Sequence, residues 1–126
     1  MIVLDTSALL YWTLDPARIT PKARQAIEQA DQIVISSISV WELALKVKQG
    51  KLVVPLGIPD YVERLQQVEK LEILAVDVQT WLDNLALTWE HRDPADRTIV
   101  ALAIRFGCPL VTSDSRIADY YPGVIW

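Results

Sequence analysis

The chain has 126 residues, the size of one domain (1–126), and with 52% hydrophobic and 22% charged residues it is a globular chain able to bury its own core. Its net charge of −4 excludes a module that grips nucleic acid through a broad basic surface, so any contact with phosphates has to be local.

In chain order, IVLD (2–5) reads as a short buried strand, and TSALLYW opens a helix with a hydroxyl cap directly after it. ITPKARQAIEQA is an amphipathic helix and QIVIS (32–36) a second apolar strand. SISVWELALKVKQG has helical spacing at Ile38, Trp41 and Leu45 and stops at Gly50. VVPLGIP is a loop, DYVERLQQVEKL a helix, LEILAV (71–76) a third strand and DVQTWLDNLALTW a further helix. HRDPADRTIVALA starts a buried helix, with Asp93 as N-cap and Pro94 at the first helical position. CPLVTSD (108–114) is a strand and its exit, followed by a short SRIADYY helix and a final VIW strand. Strands that are continuously apolar and alternate with helices predict a mainly parallel sheet of four to five strands covered on both faces, a three-layer α/β/α fold.

Cys108 is the only cysteine and cannot form an internal disulfide; its apolar FGCPLV setting reads as a buried structural thiol in a reducing compartment. MIVLDTSALL is broken by Asp5 too early to be a signal peptide, and no apolar run reaches membrane length, so a cytoplasmic location with no membrane contact is expected.

In a parallel sheet the site lies at the carboxyl ends of the strands. The first strand ends at Asp5, followed by Thr6 and Ser7; the strand at 109–112 ends in Thr112, Ser113 and Asp114. Glu42 and Asp96 are expected in the first turns of two helices between them, with Asp96 on the same face as Ile99, Val100 and Ala103. Each acid has a structural alternative. Ser39 and Glu42 have the spacing of a capping box, Glu42 can pair with Lys46, Asp5 and Asp114 can cap helices although neighbouring hydroxyls serve that purpose better, and Asp96 can pair with an arginine. If the four acids meet at one sheet edge, they need a cation or must raise one another's pKa. Hard oxygen ligands without a Cys/His cluster point to Mg²⁺ or Mn²⁺, and the absence of a recognisable nucleophile points to metal-assisted phosphodiester hydrolysis. His91 reads as a surface or hydrogen-bonding residue.

The segments VLDTSALL, SISVWELALKVKQGKL, HRDPADRTIVALA and LVTSD, in this order and spacing, resemble the PIN domain and, within it, the VapC-type toxins. The resemblance implies a Mg²⁺- or Mn²⁺-dependent endoribonuclease whose catalytic and metal-binding acids are Asp5, Glu42, Asp96 and Asp114, with Thr6, Thr112 and Ser113 as supporting hydroxyls. It also implies an RNA substrate, a co-expressed antitoxin and a homodimer. Lys46, Lys48, Arg97 and Arg116 are the local candidates for substrate phosphates, and Arg97 has an alternative i,i+4 ion pair with Asp93. The five tryptophans, Trp12, Trp41, Trp81, Trp89 and Trp126, offer stacking faces, but most are expected in the core or an interface. Two rival readings stand beside the toxin. One is a receiver-like Mg²⁺-binding signalling domain, for which LDTS supplies only one of the expected paired acids; the other is a catalytically silent PIN-like protein that binds RNA or a partner.

Overall fold

The computed structural model describes residues 1–126. Its sheet is built from β1 (Ile2–Leu4), β2 (Ile33–Ser36), β3 (Leu71–Leu74), β4 (Leu110–Val111) and β5 (Val124–Ile125), in the order β3-β2-β1-β4-β5. Every pairing is parallel. The helices are α1 (Thr6–Leu14), α2 (Pro21–Gln29), α3 (Ser37–Lys48), α4 (Gly57–Gln66), α5 (Val78–Ala86), α6 (Pro94–Phe106) and α7 (Ser115–Tyr120), with a 3₁₀ turn at Pro16–Arg18.

The continuous apolar strands are explained by burial on both faces. Ile2 and Leu4 of β1 and Ile33 and Ile35 of β2 join one core with residues of α1, α2 and α4, including Leu9, Ile27 and Leu65. Val3 and Val34, one residue out of phase, join a second core with Ile99 and Val100 of α6 and Ile117 of α7. Burial of the whole Ile99–Ala103 run makes α6 the central helix of that layer, and Cys108 is buried there as well.

Chain direction fixes the site. From β1 the chain winds outward through β2 to β3, whereas β4 and β5 lie on the other side of β1. The winding reverses between β1 and β4, the switch point at which an open parallel sheet leaves a crevice outside its strand ends. Asp5 leaves β1 there and Thr112 to Asp114 leave β4.

Several element boundaries differ from the sequence reading. The helix expected from Asp60 begins at Gly57, where Leu56 takes a left-handed conformation (φ 63°) at its N-cap, and it ends at Gln66. The helix read to Trp89 ends at Ala86, and beyond it the Leu87, Trp89 and His91 carbonyls accept from the Arg97 guanidinium. Trp41 and Trp81, expected in the core or an interface, are 58% and 44% exposed. On α5 the polar Thr80 and Asn84 are buried instead, and Asn84 donates to Thr98 Oγ1 (2.9 Å) and to the Pro94 carbonyl across to α6. A hydrophobic period does not reveal which face a helix buries when hydrogen bonds tie down its polar face.

Asp93 caps α6 as read, accepting from the Asp96 backbone N–H at 2.9 Å. Asp93→Ala is expected to lower stability by about 1 kcal/mol. A urea midpoint unchanged from wild type would refute the cap.

Candidate active site

The switch-point crevice is a cleft of about 460 Å³ whose lining includes Asp5, Glu42, Asp93, Asp96, Asp114, Lys46 and Arg116. Four separate elements deliver the four acids singled out in the sequence: the end of β1, α3, α6 and the end of β4.

Asp5 is 4% exposed. Its Oδ1 accepts from the Ala8 N–H (2.8 Å) and the Ser7 hydroxyl (2.8 Å), and its Oδ2 accepts from the Thr112 hydroxyl. Thr112 Oγ1 in turn accepts from the Asp114 N–H at 3.0 Å, so a buried relay joins the exits of β1 and β4. Ser113 Oγ donates to Ser7 Oγ at 3.1 Å beside it. Desolvation by burial pushes the Asp5 carboxyl up to about 6, against the lowering effect of the Thr112, Ala8 and Ser7 hydrogen bonds.

Glu42 is half-buried and raised for the same reason, desolvation, although Thr6 Oγ1 donates to its Oε1. Thr6 Oγ1 also lies 2.9 Å from Ser39 Oγ. The capping-box alternative for Ser39 and Glu42 is therefore corrected: Ser36 is the N-cap, and Glu42 falls in the second turn of α3 rather than the first. No ion pair forms between Glu42 and Lys46; the Lys46 charge only opposes part of the rise.

Asp96 is raised by desolvation, with the hydrogen bond from His91 opposing it and the negative charges of Asp93 and Asp114 adding to it. The expectation that hydroxyls would spare Asp5 and Asp114 from capping is also corrected. Asp5 caps α1, and Asp114 caps α7 by accepting from the Arg116 N–H. Desolvation of Asp114 is outweighed by Arg116, whose hydrogen bonds and charge hold that carboxyl below its ordinary value. The Arg116 guanidinium is 3.1 Å from Asp114 and 3.9 Å from Asp96.

The basic candidates divide. Lys46 and Arg116 line the cleft and Lys48 does not. Arg97 makes no ion pair with Asp93 and does not face the cleft. Its Nε donates to Asn84 Oδ1, its Nη1 to the Trp89 and His91 carbonyls, and its Nη2 to the Asn84 and Leu87 carbonyls. With all five N–H groups engaged, the guanidinium holds the irregular 87–91 segment rather than a phosphate. The sequence reading missed this clamp, and it missed the pairing of His91 with Asp96 that the clamp permits. His91 Nε2 lies 2.7 Å from Asp96 Oδ2, both side chains being largely buried. A contact between a loop residue and a helix residue has no periodic signature; the residue types alone were the available signal.

The donor set is carboxylate and hydroxyl oxygen, with no cysteine in the cleft. No three of the acids come together as a closed ligand cluster. Such a set fits a hard, hydrated cation such as Mg²⁺, which keeps several of its waters and takes only one or two carboxylates.

The sheet order, the switch-point cleft and the four acids define a fold class that comparison bears out: residues 2–121 match the PIN domain, and the chain belongs to the PIN domain family. Within that family it groups with the VapC-type proteins. It is 30% identical to Ribonuclease VapC22 of Mycobacterium tuberculosis over 99% of this chain and 98% of that protein. Two solved structures share the fold. A toxin–antitoxin complex from Klebsiella pneumoniae has a TM-score of 0.69 and 21% identity, covering 100% of this chain and 97% of that one. VapBC2 from Rickettsia felis, bound to a DNA fragment from its promoter, has a TM-score of 0.68 and 21% identity over 98% and 96%. A PIN domain spanning nearly the whole chain sets aside the receiver-like alternative.

The raised Asp5 carboxyl has a consequence for stability. Because its folded pKa lies above the ordinary 3.8, the native state binds the extra proton; that stabilisation is complete below pH 3.8 and is lost as pH rises to about 6. The loss amounts to roughly 3 kcal/mol. In EDTA, Asp5→Asn is therefore expected to gain on wild type by about that much between roughly pH 4 and pH 7. A wild-type-to-variant gap in urea unfolding that stays constant over this range refutes the burial cost.

Proposed function

We propose that this chain is a Mg²⁺- or Mn²⁺-dependent endoribonuclease, the toxin of a toxin–antitoxin pair, acting in the cytoplasm. The observation that carries the reading is the delivery of four carboxylates by four elements to one switch-point cleft, with burial holding three of them above their ordinary pKa. Acids in that state gain from a bound cation, since it removes the charge repulsion and offsets the desolvation.

One or two of Asp5, Asp96, Asp114 and Glu42 would hold the ion directly, and the others would reach it through its waters. When bound, it supplies an acidified water and neutralises charge on the phosphate. The chain's own residues do the rest. Thr112, Ser7 and the Ala8 N–H fix the orientation of Asp5, and Thr6 fixes that of Glu42. Ser113 supports Ser7 at the rim. Lys46 and Arg116 are the cleft-lining cations for substrate phosphates. Localised positive charge is what a chain of net charge −4 can offer RNA. No helix is long and apolar enough to cross a membrane.

A cognate antitoxin is part of the same reading, supported by the likeness to a chain of a toxin–antitoxin complex from Klebsiella pneumoniae. A homodimer belongs to the same reading. On α5 the side chains of Val78, Trp81, Leu82 and Leu85, spaced as one helical stripe, face solvent. Light scattering is expected to give a dimer for wild type and a monomer for Leu85→Glu; a monomeric wild type refutes this contact.

The activity is tested with purified, antitoxin-free protein. Cleavage of RNA with Mg²⁺ or Mn²⁺ that stops in EDTA is expected, with at least a 100-fold loss in Asp5→Asn and Asp96→Asn and near-full retention in Asp93→Asn. Cleavage retained in Asp96→Asn rejects the assignment, and a wild type that binds RNA without cutting it identifies the catalytically silent alternative.

A further inference from the structure

We propose that His91 is a positioning residue: its Nε2–H donates to Asp96 Oδ2 and thereby turns the other carboxylate oxygen, Oδ1, into the cleft. The inference rests on the metal-dependent reading given above. The two side chains are 2.7 Å apart and only 15% and 17% exposed, so this hydrogen bond is made largely out of water. An ionised carboxylate accepts only, so the nitrogen facing it must carry a proton.

The ring packs at one end of an aromatic ladder that reaches α7. Trp89 packs against it with centroids 4.7 Å apart, and the opposite end of that ladder is Tyr120, stacked on Trp89 at 4.8 Å and nearly parallel (13°). Tyr120 is the last residue of α7, the helix capped by Asp114. The ladder Tyr120–Trp89–His91–Asp96 therefore ties the helix of one cleft acid to the carboxylate of another. The backbone beneath it is fixed independently, because Arg97 Nη1 takes the carbonyls of both Trp89 and His91. Arg97 follows Asp96 directly in α6, so the residue that orients the loop and the acid that the loop orients move as one unit.

A loop without regular structure between Ala86 and Pro94 would ordinarily be a poor support for a side chain that must hold a carboxylate in a set direction. Three hydrogen bonds from one guanidinium to the Leu87, Trp89 and His91 carbonyls, and the packing of His91 on Trp89 and of Trp89 on Tyr120, remove that freedom. Groups that orient a ligand carboxylate raise metal affinity without touching the metal, typically by 10- to 100-fold.

The test uses the full chain. Mn²⁺ binding to metal-free protein, read by the loss of free-ion EPR signal, is compared in wild type, His91→Phe, His91→Gln and Asp96→Asn. His91→Phe keeps a ring against Trp89 and removes the donor, and is expected to weaken Mn²⁺ binding by about 10-fold. His91→Gln, which restores a donor, is expected to recover most of that loss; a role in shape alone would leave His91→Phe at wild-type affinity, and direct ligation by the imidazole would leave His91→Gln as weak as His91→Phe. Wild-type affinity in His91→Phe, or no recovery in His91→Gln, overturns the proposal. If Asp96→Asn also binds as wild type, the metal site itself is misassigned, a different failure. Nitrogen-15 NMR of the wild-type imidazole needs no variant: a protonated Nε2 protected from exchange is expected, and a ring protonated only at Nδ1 overturns the proposal.

Discussion

The Asp5 carboxyl sits where the sheet changes its winding direction, buried against β1 and β4, with both oxygens engaged by Ala8, Ser7 and Thr112. Capping α1 calls for one acceptor at this position. The hydroxyl of Thr112 makes the carboxylate a cross-strand fastener as well, joining residues more than a hundred positions apart in sequence. Burying a charge in this way is costly unless it is hydrogen-bonded and compensated, and the rise of Asp5 to about 6 measures what the hydrogen bonds leave uncompensated. The cleft acids on α3 and α6 are raised by the same desolvation. Strain of this kind concentrates where proteins do chemistry, since a perturbed carboxylate is one that a cation or proton will bind.

Around that fastener the cleft is electrically graded. Asp114, at the more exposed rim, is lowered by Arg116, while Asp5, deeper, is raised. Arg116 spans Asp114 and Asp96 and supplies part of the positive charge the acids lack. It is 64% exposed, so it opens to solvent at the mouth of the cleft. Arg97, only one position beyond Asp96, has the opposite fate, because its five donors end on the protein's own acceptors. The two arginines thus divide into an exposed counter-charge to the cleft acids and a structural clamp behind them.

Much of the plan was legible in the residue order. Continuous apolar strands alternating with helices require a parallel sheet covered on both faces, and the parallel sheet places its site at the strand exits, where Asp5 and Asp114 stand. The division between Asp93 as cap and Asp96 as cleft acid was legible too, since Pro94 marks the first helical residue and the Ile99–Ala103 run marks the buried face. Less legible were the features that depend on which distant groups come within reach. The inverted face of α5 arises because Thr98 and the Pro94 carbonyl wait on α6 for Asn84, leaving Trp81 and Leu85 outside. Beyond the early end of that helix, the Leu87, Trp89 and His91 carbonyls are taken up by Arg97, a residue ten, eight and six positions further on.

The sequence by itself determined the sheet type, the order of the elements, the identity of the four acids and the cap at Asp93, because local propensity and hydrophobic period act over a few residues. Tertiary structure alone decided which oxygen of which acid is occupied, which arginine lines the cleft, that His91 rather than a helical neighbour meets Asp96, and how far burial raises Asp5. Those outcomes depend on distance and desolvation among groups remote in the chain, and neither quantity exists until the sheet has folded.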